Sequence, residues 1–419
     1  MKLGTKIPLV LLLLLSASLV QAQTNPPAKS LDELIQVALQ QNASVKSAGL
    51  EVNQQEYLKK SAFDLGKTQI GAQYGQANSD LNDTYFSITQ PIPNPALIGA
   101  KKRLGDARIK ERQLNVQVTK NELVYNVKSA YYQLNYLLAL NRLLQSQDTV
   151  YQNFLKAAQL RYETGESTLL ESKTAETQLN EIRNTIQKNK GDILIYQRQL
   201  QILLNSNQPV SISDSTIAKE NINALLSLRD SINSPVLDLL KQQIEVAGRT
   251  VGVEKANAGP DFSIGYFNQS IRGFQNINGQ NIYSGSGDRF FGFQAGIQIP
   301  LFFSAYSNRI KAAKTGAQIA ATQYSLYETN VKGQYQQAVE EYLKQLKSMA
   351  YYEQNALPNA DFLRKQSQAA FTQGEIQYVE LLQALRTYSE IRSNYLQTVN
   401  QFNQSIIELQ YLSGQPINR

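Results

Sequence analysis

One stretch of the sequence occurs twice, and this internal duplication restricts the fold more than any other feature. Residues 161–179, RYETGESTLLESKTAETQL, return in altered form as residues 370–388, AFTQGEIQYVELLQALRTY. Gly165 of the first copy corresponds to Gly374 of the second. Each glycine separates two long helical patterns, and because glycine inside a helix costs about 1 kcal/mol, its recurrence indicates a turn between helices. The sequence therefore predicts two long helical hairpins related by duplication.

The helices that meet at these turns are unusually long. Apolar residues recur at spacings of three, four and seven over residues 97–163, and the pattern resumes after Gly165 until about Leu204. A helix of roughly 65 residues that rises about 1.5 Å per residue is about 100 Å long. This length exceeds that of an ordinary globular helix and is typical of a coiled coil.

Each half of the chain also contains a segment that alternates with period two, which predicts β-hairpins at residues 68–92 and 261–301. Apolar residues occupy one face, and glycine, glutamine and serine occupy the other. Such strands have the length and the alternation of transmembrane barrel strands. Tyr85, Phe290 and Tyr283 are candidates for the aromatic girdles. The predicted lipid-facing residues are Ile70, Tyr74, Phe86, Ile88, Phe262, Ile264, Tyr266, Phe291, Phe293 and Ile297.

Four strands are too few to close a barrel, and an open sheet edge is not viable in lipid. Three chains would supply twelve strands and leave a lumen. We therefore predict a mainly α-helical protein with membrane β-structure, in which four strands per chain join a twelve-stranded trimeric β-barrel and coiled-coil helices form an α-barrel. The alternative is a small soluble sheet that packs on the helices.

The boundaries follow from the same patterns. Residues 1–22 have the basic start, apolar run and small-residue cleavage site of a signal peptide. We assign residues 23–209 to the first repeat and 233–419 to the second, with 210–232 as an equatorial linker. Residues 270–288 are rich in Gly, Asn and Ser and predict an extracellular loop.

The composition argues against several classes of function. The chain has no His and no Cys, so the commonest general base and metal ligand is missing, and we expect no enzyme activity, cofactor or metal site. The formal net charge is +7, but the basic residues are spread without blocks, which argues against a nucleic-acid partner.

In its motifs the chain resembles the TolC-type outer-membrane efflux proteins. The resemblance rests on RYETGESTLLESKTA at 161–175, FTQGEIQYVELLQA at 371–384, and the strand exits QPIPNP at 90–95 and QIPLF at 298–302. It implies a homotrimer in the lipid of the outer membrane with a large periplasmic extension. The implied partners are a periplasmic adaptor (a membrane fusion protein) and an inner-membrane RND or ABC pump. The QPIPNP exit is similar to that of channels paired with heavy-metal RND pumps.

The resemblance also implies roles for residues at the tips. Glu171 and Glu380 stand where the family usually has an Asp near the constriction, while a second family acid is replaced by Thr174 and Gln383. An ordinary glutamate in the first turn of a helix remains an alternative explanation. Arg161 resembles a latch position, and Arg364 is its candidate counterpart in the second half. The implied adaptor-docking residues are Gly165, Glu166, Ser167, Gly374, Glu375 and Ile376.

Two functional classes follow from these observations. The first is a passive outer-membrane exit duct of a tripartite efflux system, with a type I protein secretion duct as a variant in which the pump chooses the substrate. The second is a soluble periplasmic coiled-coil scaffold or adaptor. Extraction of washed envelopes with salt alone distinguishes them, because a duct requires detergent.

Overall fold

The computed structural model describes residues 28–76, 78–213, 216–220, 232 and 234–414. The predicted signal peptide and much of the predicted linker lie outside these ranges. The chain forms two compact units. Of the described residues, the tip unit holds those within Met1–Ala38, Asn126–Lys219 and Lys347–Asn403, and the sheet unit holds those within Leu39–Tyr125, Glu220–Leu346 and Gln404–Arg419.

Each half contains a helix before its strands, two strands of one sheet and then a long helical hairpin. The helices are α1 (Leu31–Gln41), α2 (Ala43–Lys60), α3 (Pro95–Glu163), α4 (Leu169–Leu203), α5 (Pro235–Asn257), α6 (Phe303–Tyr351), α7 (Leu357–Thr372) and α8 (Tyr378–Ser413). The strands are β1 (Gln69–Gly75), β2 (Asp83–Ile92), β3 (Asp261–Gln269), β4 (Gly273–Ile277), β5 (Gln280–Ser284) and β6 (Phe290–Gln298).

The long helices follow from their apolar spacing. α3 runs for 69 residues, and its buried residues Leu123, Val127, Leu134 and Leu137 recur at helical spacings. The corresponding path in the second half is interrupted once. A π-helical turn at Tyr352–Ala356 separates α6 from α7, immediately before Pro358, whose missing N–H cannot complete a regular helical ladder.

The sheet unit holds one antiparallel sheet of order β1-β2-β3-β6. Its register aligns Ile70 with Ile88, Ile88 with Tyr266, and Tyr266 with Phe293, so these four side chains form one row across the sheet. By the same register, all of the predicted lipid-facing residues share this face. The opposite face carries the Gly, Gln and Ser residues, as the alternation predicted.

Two of the predicted girdle residues lie on the other face. Tyr85 pairs with Gln73 and Gln269, and Phe290 also pairs with Gln269, so both belong to the glycine- and glutamine-rich face. The prediction for Tyr85 and Phe290 was therefore wrong. Its physical cause is that strand parity, rather than aromatic character, decides which face a side chain occupies.

The predicted loop 270–288 contains a second, two-stranded sheet formed by β4 and β5. Phe274 pairs with Tyr283 there, and their rings meet edge to face at 5.3 Å between centroids. Asn278 and Gly279 connect the strands with positive φ angles of 54° and 84°, as a type I′ turn requires. The described part of the chain thus has six strands instead of four, and Tyr283 belongs to this separate hairpin.

Candidate functional site

The two glycine turns have the same backbone hydrogen bonds. At the first tip, the N–H of Glu166 donates to the carbonyl of Arg161 at 2.8 Å, and the N–H of Gly165 donates to Tyr162 at 3.1 Å. Gly165 has a φ of +78°. This pattern is a Schellman motif, which ends a helix at a residue in the left-handed conformation.

The second tip repeats this geometry. The N–H of Glu375 donates to Ala370 at 2.8 Å, that of Gly374 donates to Phe371 at 3.1 Å, and Gly374 has a φ of +76°. Gly165, Glu166, Gly374 and Glu375 are exposed. The backbone of both tips is therefore available to a partner, while Ser167 and Ile376 are half-buried.

The two glutamates at the third position of α4 and α8 behave differently. The Glu380 carboxylate is exposed and accepts a hydrogen bond of 3.4 Å from the N–H of Gln377, so it caps its own helix. The N-cap of α4, Thr168, makes no side-chain capping bond. Glu171 is half-buried, and its Oε2 has no hydrogen-bond partner among the described residues.

An aromatic cluster joins the first and second hairpins within the tip unit. The ring of Phe154 on α3 stacks on Tyr378 of α8 at 4.2 Å and lies 6.1 Å from Phe371 of α7. Ala175 of α4 is fully buried in the same cluster, and Ile376 packs against it. The two tips are thereby held together in one protomer.

Glu171 lies close to Tyr378, across the two hairpins. Burial raises the pKa of the Tyr378 hydroxyl well above its usual value, and the nearby negative charges of Glu171 and Tyr151 raise it further. Within the described part of the chain, the Tyr378 hydroxyl and the Ser167 hydroxyl also have no hydrogen-bond partner. These three groups, among others in the tip unit, lie at or just before the first turns of α4 and α8.

The predicted latch arginine of the second half makes its contacts inside its own hairpin. Arg364 donates to Gln368 at 3.2 Å, and its guanidinium lies 5.2 Å from the ring of Tyr388 on α8. The guanidinium of Arg392 lies 5.5 Å from the same ring and binds both oxygens of Asp361 at 2.9 Å. Arg161 is half-buried at the end of α3, where its carbonyl accepts the bonds of the first turn.

The apolar face of the sheet is the second candidate surface. Phe293 is 87% exposed, Tyr74 75% and Ile70 70% in the protomer. Exposed apolar side chains in such a continuous row mark an interaction with lipid or protein. Within the four-stranded sheet, β1 and β6 each have one paired neighbour, so their outer edges present unpaired backbone groups.

The sequence of the chain matches the family model described as outer membrane efflux protein over residues 34–206 and 231–415. The chain belongs to the outer membrane efflux protein family. The two matched blocks each contain one glycine turn and one pair of sheet strands. The predicted outer-membrane localisation is confirmed, and membership of this family of channels means that the protein is not an enzyme.

Solved structures confirm the fold of this outer membrane efflux protein. CusC superposes with a TM-score of 0.74 at 15% identity, covering 92% of both chains. VceC from Vibrio cholerae gives 0.73 at 14% identity, covering 93% of this chain and 97% of that one. CmeC from Campylobacter jejuni gives 0.74 at 14% identity, covering 92% and 85%. No curated protein sequence matches the chain significantly.

None of the described helices combines the length and the hydropathy needed to cross a membrane. In the described ranges, His, Cys, Asp and Glu side chains form no group suited to hold a metal ion.

Sequence reasoning missed Phe154 and Tyr378. The apolar positions around each tip glycine were a signal for packing, but they did not indicate which helix each would face.

Proposed function

We propose that this efflux protein is a homotrimeric exit duct. It would conduct substrates passively, after an inner-membrane pump of the RND or ABC class delivers them through a periplasmic adaptor. The observation that carries the proposal is the pair of unpaired sheet edges. A strand edge in lipid leaves N–H and C=O groups without partners, and closure of the sheet by copies of the same chain satisfies them.

The number of copies follows from the size of the sheet. Two copies would give eight strands, whose interior is filled by side chains, whereas three would give twelve strands and an open lumen. The apolar row from Ile70 to Phe293 would face lipid, and the glycine- and glutamine-rich face would line the lumen. An exit duct needs such a lumen, which favours the trimer.

Cross-linking of the sheet edges tests this assembly. Because the natural chain has no Cys, Ala72→Cys on β1 and Ala295→Cys on β6 can be combined and treated with a bismaleimide that has a flexible spacer. The double variant should give covalent dimers and trimers and no larger species on denaturing gels. Each single variant is the matched control and should give no trimer. A ladder that stops at dimers, or that extends to tetramers, would contradict the trimeric duct.

The tips are proposed as the surface that meets the adaptor. Beside the exposed turns, Leu170 is 75% exposed and Val379 is 65% exposed, and these residues occupy equivalent positions in the two copies. Apolar side chains at equivalent sites on both tips would contact equivalent surfaces of a helical partner, with Glu166 and Glu375 at the polar rim. This arrangement follows the usual anatomy of an interface, an apolar centre inside a polar edge.

Photo-cross-linking in cells tests the docking. A photoreactive residue in place of Glu375 should capture a periplasmic membrane fusion protein, identified by mass spectrometry. Leu170→Ser with Val379→Ser should reduce this capture while trimers persist. The matched control is Leu194→Ser, which changes a residue of α4 that is 62% exposed. Equal capture in all variants would count against docking at the tips.

Glu171 and Glu380 are proposed to give the periplasmic constriction its negative charge. Carboxylates that ring a pore attract cations. Single-channel recordings should show a weaker preference for K⁺ over Cl⁻ after Glu380→Gln, and a smaller effect after Glu390→Gln, which lies further along α8. If Glu380→Gln leaves the selectivity unchanged, Glu380 has no role in the constriction and serves as a helix cap.

Two pump classes remain compatible with this duct. A drug or metal efflux pump and a type I protein secretion pump would both use the same passive exit. The substrate class is therefore proposed to be a property of the partner pump. Co-purification of the trimer with its pump from cross-linked cells would identify the class.

A further inference from the structure

The polar face of the sheet carries three aromatic side chains at the end nearest the β4–β5 hairpin. The register forms one row from Gln73, Tyr85, Gln269 and Phe290, and the adjacent row from Gly71, Ser87, Phe267 and Gly292. Tyr85, Phe267 and Phe290 therefore lie in two adjacent rows, on three neighbouring strands. All three are half-buried in the protomer.

Two of these rings lie next to each other on neighbouring strands. Tyr85 and Phe267 stack with their centroids 6.2 Å apart and an angle of 17° between their planes. The Phe267 ring also lies against β6 at Gly292, where a Cβ atom would come within 2.8 Å of the ring. Glycine at position 292 is thus what allows Phe267 to lie flat along the sheet instead of standing out from it.

The remainder of this face is uncharged. Between the row of Asp83 at one end and Asp261 at the other, the inward positions of the four strands are Gln, Gly, Ser, Thr, Pro and the three aromatic residues. The next level is also neutral, because Gln294 lies over Gly265 and donates to Thr89 at 3.0 Å. Between these two rows, the aromatic faces are therefore the groups best suited to bind an organic cation.

We propose that Tyr85, Phe267 and Phe290 form an aromatic collar inside the barrel, which binds organic cations that carry aromatic or other apolar groups. The inference rests on the proposed trimeric duct, in which three copies bring these rings into two adjacent rows at one end of the lumen. The face of an aromatic ring attracts a cation and stacks on planar groups. The collar would retain such solutes briefly, whereas small inorganic ions and neutral polar solutes would pass.

Blockade of single channels tests the collar. The full-length mature chain is reconstituted in planar bilayers, and tetraphenylphosphonium, an aromatic cation, is added on the side of the β4–β5 hairpin. Tetrabutylammonium is the aliphatic cation used for comparison. We expect tetraphenylphosphonium to block the current at lower concentration than tetrabutylammonium.

Substitutions then locate the block. Phe267→Leu combined with Tyr85→Leu removes the two stacked rings and keeps apolar side chains in their place, and it should weaken block by tetraphenylphosphonium about tenfold, within the range of cation–π interactions. Phe291→Leu, on the opposite face of β6, is the matched control and should leave the block unchanged. Gly292→Ala keeps both rings but displaces Phe267, so it should also weaken the block, and it provides a second variant if the double variant assembles poorly.

The possible failures are distinct. Equal block by the two cations, or equal block of the wild-type chain and of either collar variant, would overturn the collar while the conductance itself still supports the duct. Absence of any conductance from the wild-type trimer would contradict the proposed duct, and the collar with it. A purely structural role for the rings would lower trimer stability without changing the ratio of the two blocking concentrations, and that result would also overturn the collar.

Discussion

The two hairpin tips share a backbone and differ in their side-chain surroundings. Both end with the same Schellman motif around a glycine of positive φ, and the two hydrogen bonds of the motif measure 2.8 and 3.1 Å at each tip. Glu380 is exposed and caps α8, whereas Glu171 is half-buried and near enough to Tyr378 for its charge to raise the pKa of that hydroxyl. The duplication has thus kept the turn and allowed the two first-turn glutamates to take different roles.

This difference shows which parts of a duplicated element are interchangeable. A turn is specified locally, by one residue that tolerates positive φ and by the helix before it. The environment of a side chain is specified by whichever helix packs against it. At the two tips, Phe154 and Tyr378 form this environment, and they belong to different halves of the chain. The following predictions test that division, beginning with the largest expected effect.

Phe154→Ala should separate the two tips. It removes the ring that contacts both Phe371 and Tyr378, and truncation of a buried phenylalanine costs about 3–5 kcal/mol. Hydrogen exchange measured by mass spectrometry should show faster exchange at both tips. Phe362→Ala, which truncates a side chain that is 65% exposed, is the control and should have little effect. Equal acceleration by the two variants would mean that the cluster does not hold the tips.

Alanine at Gly165 and at Gly374 should cost the same. A non-glycine residue in the left-handed conformation is less stable by about 1–2 kcal/mol, and an added Cβ meets no atom within 4 Å at either site. Gly191→Ala inside α4, where the added Cβ also meets nothing, should instead stabilise the helix by about 0.5–1 kcal/mol. Unfolding in denaturant measures all three, and a clear inequality between the two tips would contradict a purely local origin of the turn.

Glu171→Gln should lower the pKa of Tyr378, because it removes a negative charge that disfavours the tyrosinate, but burial should still hold this pKa above about 10. Ultraviolet titration of the variant, with Tyr378→Phe as the blank, measures the change. Glu380→Gln is the matched control and should leave the titration unaltered. If both glutamine variants shift the pKa of Tyr378 equally, Glu171 is not the closer of the two glutamates to that hydroxyl.

The raised pKa of Tyr378 also predicts how stability depends on pH. A tyrosine whose pKa is raised on folding contributes stability fully below its unfolded pKa, near 10, and loses that contribution as the pH rises through the higher folded value. The tip unit should therefore open in alkaline solution. Tyr378→Phe should make the stability of the tip unit depend less on pH. Hydrogen exchange of the wild-type chain and the variant over a series of alkaline pH values measures this. Parallel curves for the two proteins would contradict the prediction.

Glu380→Gln should have the smallest effect on stability. The capping bond from Gln377 is long and exposed, and a charge at the start of a helix contributes less than about 1 kcal/mol. Comparison with Glu171→Gln by denaturant unfolding measures it. A loss well above this amount would show that Glu380 has a partner that the protomer does not reveal.

The sequence was sufficient for the features that depend on local rules. The glycine turns follow from one residue type at the end of a helical pattern, and strand parity placed every predicted lipid-facing residue on one face. Tyr85 and Phe290 were assigned to the wrong face, because they were chosen for aromatic character near a strand end. Phe267 was overlooked because the alternating pattern was followed only as far as Tyr266, whereas β3 continues to Gln269. The Glu171–Tyr378 proximity requires knowledge of how two hairpins pack, which periodicity alone does not contain.

The π-helical turn at Tyr352–Ala356 restricts how the two halves can diverge. A π turn accommodates one residue more than the α-helix around it, so loss of one residue there would restore a regular helix. Everything beyond it would then turn by about 100° and shift by about 1.5 Å, and this would carry Phe371 away from Phe154. A single-residue deletion in this segment should therefore leave the helix intact but disrupt the packing of the tips. Changes of chain length that preserve the fold should be confined to the loops that join the strands.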